Sequence, residues 1–100
     1  MYVISPKVLR AFAVTHPQVS SELKVWTKLA GLADWHNFNE LRADMPATDF
    51  IGNDRYVFNV KGNHFRLVAM IFFAAQRLYI RGIYAHKDYS KLTKRDILDL

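Results

Sequence analysis

Residues 55–89 read RYVFNVKGNHFRLVAMIFFAAQRLYIRGIYAHKDY. Three runs rich in β-branched and aromatic residues stand out: Arg55–Val60, Phe65–Phe73 and Leu78–Ala85. Gly62-Asn63 separates the first two, and Ala74–Gln76 the last two. A two-residue connection containing glycine, set between such runs, is a strong hairpin signal. The stretch therefore predicts a three-stranded antiparallel meander. If Gly62-Asn63 is the turn, Lys61 opposes His64 and Asn59 opposes Arg66. Side chains alternate across a strand, so these four share one face. Centring the second turn on Ala75-Gln76 sets Met70 opposite Arg81 and brings Arg81 to that face as well. The other face carries Tyr56, Phe58, Val60, Phe65, Leu67, Ala69, Ile71, Ile80 and Tyr84; it is apolar and must be covered. A one-residue slip in either hairpin would scatter the basic residues over both faces.

The cover is sought on the N-terminal side. Tyr2-Val3-Ile4 is a short strand candidate. Ser5-Pro6 then supplies an N-cap residue and a proline at the first helical position. Val8, Leu9, Phe12 and Ala13 recur at helical spacing, which predicts an amphipathic helix over Lys7–Thr15. His16-Pro17 ends it, because the residue before proline is pushed out of the α region. Ser20 or Ser21 starts a second helix with the apolar stripe Leu23, Val25, Trp26, Leu29 and Ala30, closed near Gly31. Phe38, Leu41 and Met45 suggest a short helix within Asp34–Thr48, stopped by Pro46. Asp49–Asp54 reads as a loop or strand lead-in. Beyond the meander, His86–Leu92 looks helical, and Thr93–Leu100 either adds another turn, with Thr93 and Asp96 as a weak capping box, or frays. The order β-α-α-β-β-β-α is an α+β fold: a small antiparallel sheet with an N-terminal helical hairpin on one face.

Composition agrees with a single domain over residues 1–100. The chain has 100 residues, 51% hydrophobic and 23% charged, ordinary values for a globular domain with a modest core. No apolar run approaches the ~20 residues that cross a bilayer. There is no cysteine, hence no disulfide framework and no thiol chemistry. With no signal peptide pattern either, a reducing cytoplasm is the expected location. Net charge is +5, unevenly spread: residues 1–54 hold five Lys/Arg and six Asp/Glu, residues 55–100 nine Lys/Arg and three Asp/Glu. The excess sits in the predicted sheet and the C-terminal residues after it, which favours a polyanionic partner, nucleic acid first.

The chemistry that the residues offer is narrow. None of His16, His36, His64 and His86 is read with a zinc-ligand partner, and no metal site is predicted. No phosphate-binding loop, dinucleotide-binding glycine pattern or nucleophile elbow is present, and no cofactor is implied. The informative set is Arg66, Arg81, His86 and Tyr89, with Lys61 and Lys87 nearby. Arginine offers a planar fork that matches phosphate oxygens. The competing explanation is structural, an ion pair from either arginine to Asp54, Asp88 or Glu40. His86 and Tyr89 are three apart, which a helix would place on one side. Histidine moves protons near neutral pH, and tyrosine stacks on bases or hydrogen-bonds; alternatively His86 only ends the strand and Tyr89 only packs.

In order along the chain, Tyr56-Val57-Phe58-Asn59-Val60, Gly62-Asn63, Arg66-Leu67-Val68, Tyr79-Ile80-Arg81 and His86-x-x-Tyr89 resemble the HigB family of bacterial toxins, RelE-type mRNA interferases. The resemblance implies a RelE-like fold and metal-independent cleavage of mRNA, often on the translating ribosome. It implies a small helix-turn-helix antitoxin, HigA-like, as partner. It assigns Arg66, Arg81, His86 and Tyr89 to catalysis; Asn59, Lys61 and His64, which the register sets on the Arg66 face, and Lys87 beside His86 are the expected RNA contacts. The chain departs from the family's pattern at Lys61, where relatives often carry a second glycine, at Ala85, often threonine, and at Ser90, often aspartate. Two other functions fit the same basic face: a non-catalytic RNA-binding module, and a protein-interaction domain whose groove takes an acidic peptide.

Overall fold

The computed structural model describes all residues, Met1–Leu100. The predicted meander forms its centre. Strands β3 (Arg55–Val60), β4 (Phe65–Phe72) and β5 (Arg77–Ala85) pair antiparallel. Two further strands widen it. The short β1 (Tyr2–Ile4) runs parallel to β5, and β2 (Thr48–Gly52) pairs antiparallel with β3, so the sheet order is β1-β5-β4-β3-β2. The segment read as a loop or strand lead-in is thus largely an edge strand.

The first hairpin has the predicted register, with Asn59 opposite Arg66 and Val60 opposite Phe65. Lys61 and Gly62 both take positive φ, 53° and 64°. Glycine carries that conformation without steric cost, and a left-handed turn suits the twist of the strands it joins.

The second hairpin differs from expectation. Its turn is four residues, Phe73–Gln76, so Met70 faces Tyr79 rather than Arg81. Ala69 then pairs with Ile80, but Val68 pairs with Gly82. Arg81 is the extra residue of a β-bulge, with no partner of its own on β4. Alternation from Tyr79 still carries Arg81 to the Arg66 face. The bulge then shifts every later residue by one. Ile83 joins the apolar core, and Tyr84, predicted on the apolar face, comes to lie opposite Arg66.

Helices α1 (Lys7–Thr15) and α2 (Ser20–Leu32) form the expected hairpin, linked by a 3-10 turn at Pro17–Val19. That turn absorbs the residues before the serines, so Val19 rather than a serine is the N-cap of α2; Pro6, not Ser5, caps α1. Leu9, Leu23, Trp26 and Ala30 are buried with Phe58, Leu67, Ile71 and Ile80 in one cluster, and Trp26 meets Phe58 edge to face at 5.1 Å. Val25 and Leu29 do not join the stripe. They are 57% and 53% exposed, because the face in contact with the sheet repeats through Leu23, Trp26 and Ala30.

Helix α3 (Phe38–Asp44) is N-capped by Asn37, whose side chain accepts from the Glu40 amide. It carries Leu41 into the same core. Trp35, just before it, is buried, and its indole donates to Asp44 at 2.8 Å.

The second face of the sheet is also partly covered. After α4 (His86–Tyr89), the chain turns through α5 (Lys94–Leu98), whose N-terminus carries the predicted Thr93–Asp96 capping box. Ile97 of α5 packs on Val57 and Val68, with Tyr84, Tyr89 and Leu92 around it. Helices therefore lie on both faces of the sheet, not one. The C-terminal pair leaves open the end of that face where Arg66 lies half-buried and His64 and His86 stand exposed. No helix is long and apolar enough to cross a membrane.

Candidate nucleic-acid interface

Pairing sets Asn59 of β3, Arg66 of β4 and Tyr84 of β5 side by side in one row on this second face. Directly opposed side chains stand about 5 Å apart at Cβ, so the three act as one surface. Both sides of Arg66 are organised. The Asn63 side chain and carbonyl accept from its guanidinium at 2.9 and 3.1 Å, and the Phe65 carbonyl at 3.3 Å. The Arg66 Cζ lies 5.8 Å from the centre of the Tyr89 ring, within range of a cation–π contact.

Neither Arg66 nor Arg81 takes part in an ion pair; the three in the protein are His36 with Asp34, His36 with Glu40, and Arg95 with Asp99. The ion pair from either arginine to Asp54, Asp88 or Glu40 is therefore absent. Arg66 is held by neutral acceptors, which leaves its positive charge uncompensated.

His64 and His86 stand at the open end of the row. The backbone amide of His86 donates to the His64 carbonyl at 2.8 Å, extending the β4–β5 ladder into α4. Both histidines are exposed, as is Lys87. Tyr89 shares α4 with His86 and turns back over Arg66. Ser90 does not replace the missing acid: its hydroxyl donates to the Lys87 carbonyl at 2.8 Å and leaves the His86 ring free.

The two tyrosines are held neutral. Burial raises the phenol pKa of Tyr89, the Asp49 charge adds to the rise, and the Arg66 charge opposes it. Burial alone raises that of Tyr84. Each offers an O–H donor and a ring face rather than a phenolate base.

Two expected contacts lie away from this cluster. Arg81 is exposed on the bulge, three residues from Tyr84, or roughly 10 Å along β5. Lys61 turns toward the helical hairpin, where its ammonium donates to the Gln18 carbonyl at 2.8 Å. Sequence patterning passes over two further features. It misses Tyr84 because it misses the bulge; Gly82 within an apolar strand is the signal for it. His36 does meet carboxylates, at 3.0 Å from Glu40 and 3.7 Å from Asp34, which raise its pKa in an exposed cluster at the start of α3. Neither this cluster nor any other group of His, Asp and Glu side chains is arranged so that three of them could hold one metal ion.

An unpaired guanidinium beside an asparagine and two neutral tyrosines, with two exposed histidines at the open end of the row, offers a cation, hydrogen-bond donors and ring faces on one surface. The chain belongs to the HigB toxin family, described as the RelE-like toxic component of a toxin–antitoxin system, whose model matches residues 19–92. It is 36% identical over 95 residues to the mRNA interferase toxin HigB of Escherichia coli K12, covering 93% of this chain and 91% of that protein. The mRNA interferase HigB of Shigella flexneri is equally similar. That of Escherichia coli O6:H1 is 29% identical over 96 residues, 94% and 93% of the two chains.

Proposed function

We propose that this toxin is an endoribonuclease that cuts mRNA in the cytoplasm, on the translating ribosome, through a single domain and without a metal ion. The observation that carries the reading is the row Asn59–Arg66–Tyr84 with the Tyr89 ring against an Arg66 that has no counter-ion. RNA brings its own nucleophile. The 2′-oxygen attacks the adjacent phosphorus while its proton passes to a base. The bond to the 5′-oxygen breaks, and that oxygen takes a proton. The products are a 2′,3′-cyclic phosphate and a 5′-hydroxyl.

Each side chain has a part in this scheme. Arg66, and Arg81 reaching in from the bulge, stabilise the charge that builds on the phosphorane. His86 exchanges protons at the open end of the row. Tyr89 and Tyr84 orient the phosphate through neutral hydroxyls or stack on a base. Asn59, His64 and Lys87 contact the RNA, and Lys61 adds charge at the margin. A helix-turn-helix antitoxin is the inhibitor. The names of the relatives and the membership of a toxin–antitoxin family support the reading.

The test is single-turnover cleavage of a ribosome-bound mRNA, with the product ends identified, for wild type, Arg66→Ala and Arg81→Ala. A rate loss of roughly 10²–10³ for each with near-normal binding is expected. RNA binding that falls with salt but is accompanied by no cleavage would make the protein a non-catalytic RNA-binding module.

A further inference from the structure

The charge of residues 1–54 is itself divided. Residues 1–33 hold four Lys/Arg and one acid, Glu22, whereas residues 34–54 hold one Arg and five acids. The near-zero total conceals a second basic patch, and the fold assembles it far from the first. Helices α1 and α2 enclose a groove of about 550 Å³ to which no residue of the sheet contributes. Its floor is apolar: Leu9, Ala13 and Leu23, with Val14, 80% exposed, at the lip. Arg10 stands on one wall, Lys24 and Lys28 on the other. None of the three cations has an ion-pair partner.

This pattern differs from the Arg66 face in kind. There, cation and polar groups form the surface itself, with aromatic rings for bases. Here the cations are only a rim, and the surface between them is mainly apolar, with the Ser20 and Thr27 hydroxyls as its only neutral polar side chains and no aromatic ring for a base. A strip of apolar surface between two positive walls matches an amphipathic helix, its apolar side chains spaced at i, i+3/i+4 and i+7 and carboxylates on its flanks. Helix α1 is nine residues, or about 13 Å, enough to seat two to three turns of such a helix.

We propose that the α1–α2 groove docks an acidic amphipathic helix of the cognate antitoxin, on the side of the molecule away from Arg66. The identity of the partner rests on membership of the toxin–antitoxin family; the site does not depend on which residues cleave RNA.

The experiment titrates the purified antitoxin encoded beside this toxin onto wild type, Lys24→Glu/Lys28→Glu and Val14→Asp by calorimetry. In parallel, mRNA cleavage and ribosome binding are measured for each free toxin variant. All three side chains are exposed, and thermal melts check that the variants fold. Both variants should lose antitoxin affinity, by about tenfold or more, and raising salt should weaken the wild-type complex, while cleavage and ribosome binding stay as in wild type. Undiminished antitoxin binding by both variants would overturn the proposal. So would lost ribosome binding with intact antitoxin affinity, which would make the groove an RNA surface. Self-association of free wild-type toxin abolished by Val14→Asp, with antitoxin affinity unchanged, would assign it to a second copy. Because the primary readout is binding, a toxin that proved unable to cleave RNA would leave the result interpretable.

Discussion

The ring of Tyr84 occupies the space that a side chain on Gly82 would need: a Cβ there would sit 2.7 Å from Tyr84 Cε2 and 2.8 Å from its hydroxyl oxygen. Both residues lie on the Arg66 face, because the bulge at Arg81 brings Gly82 opposite Val68 and Tyr84 opposite Arg66. The tyrosine can therefore lean back along its own strand, half-buried. The clash in Gly82→Ala involves the far end of a side chain that can rotate, so the sheet should survive while Tyr84 swings away. The melting temperature should change little, and RNA affinity should fall by the equivalent of one base-stacking contact, about 1–3 kcal/mol. Tyr84→Ala should show the same loss, and Gly82→Ala in that background should add almost nothing. Additive losses would separate the two residues.

Arg66 is held by Asn63 and the Phe65 carbonyl rather than by a carboxylate. Arg66→Lys keeps the charge but loses the fork that Asn63 orients. The cleavage rate of Arg66→Lys should fall nearly as far as that of Arg66→Ala, because a lysine cannot present two parallel donors. Asn63→Ala should give a smaller loss through the same arginine. Single-turnover rates beside binding constants decide it; a wild-type rate in the Arg66→Lys variant would reduce the role of Arg66 to charge alone.

Tyr56, Tyr84 and Tyr89 all have raised pKa values, burial being the first cause in each case. A phenol whose folded pKa lies above its unfolded value of 10.0 keeps its full stabilising effect below pH 10 and loses it as pH climbs through the folded value. Alkaline unfolding should thus begin above about pH 10, and the Tyr84→Phe/Tyr89→Phe double variant should show a shallower decline. Cleavage should show no rising limb from tyrosine ionisation below that pH. Denaturant melts from neutral pH upward, beside pH–rate profiles, test both statements.

Leu67 is fully buried where the helical hairpin meets the centre of β4. Leu67→Ala should cost on the order of 2–5 kcal/mol, the scale for a truncated core leucine. Urea unfolding measures it. A loss below about 1 kcal/mol would mean that the cover over this face collapses into the space far more readily than a packed core does.

Alternation in Arg55–Val60 and Phe65–Phe72, with Gly62 at the turn, was enough to pair Asn59 with Arg66 and to name nearly every core residue of the sheet. These are properties of neighbours in sequence: a period of two sorts side chains onto faces, and a residue tolerant of positive φ marks where the strand reverses. The ordered motifs from Tyr56 to Tyr89 likewise carried the family. The second hairpin was beyond such reasoning. Its four-residue turn and the bulge at Arg81 change which residues oppose each other without changing the composition of either strand, and a one-residue shift moves Tyr84 from core to site. Local pattern was equally silent on the fates of Lys61, Val25 and Leu29. Whether a lysine reaches RNA or the Gln18 carbonyl, and whether an apolar helix residue meets the sheet or water, depends on where distant elements come to rest. The groove between α1 and α2 has the same origin: Arg10 is 14 residues from Lys24 in sequence, and only the packing of the two helices puts them on opposite walls of one apolar channel.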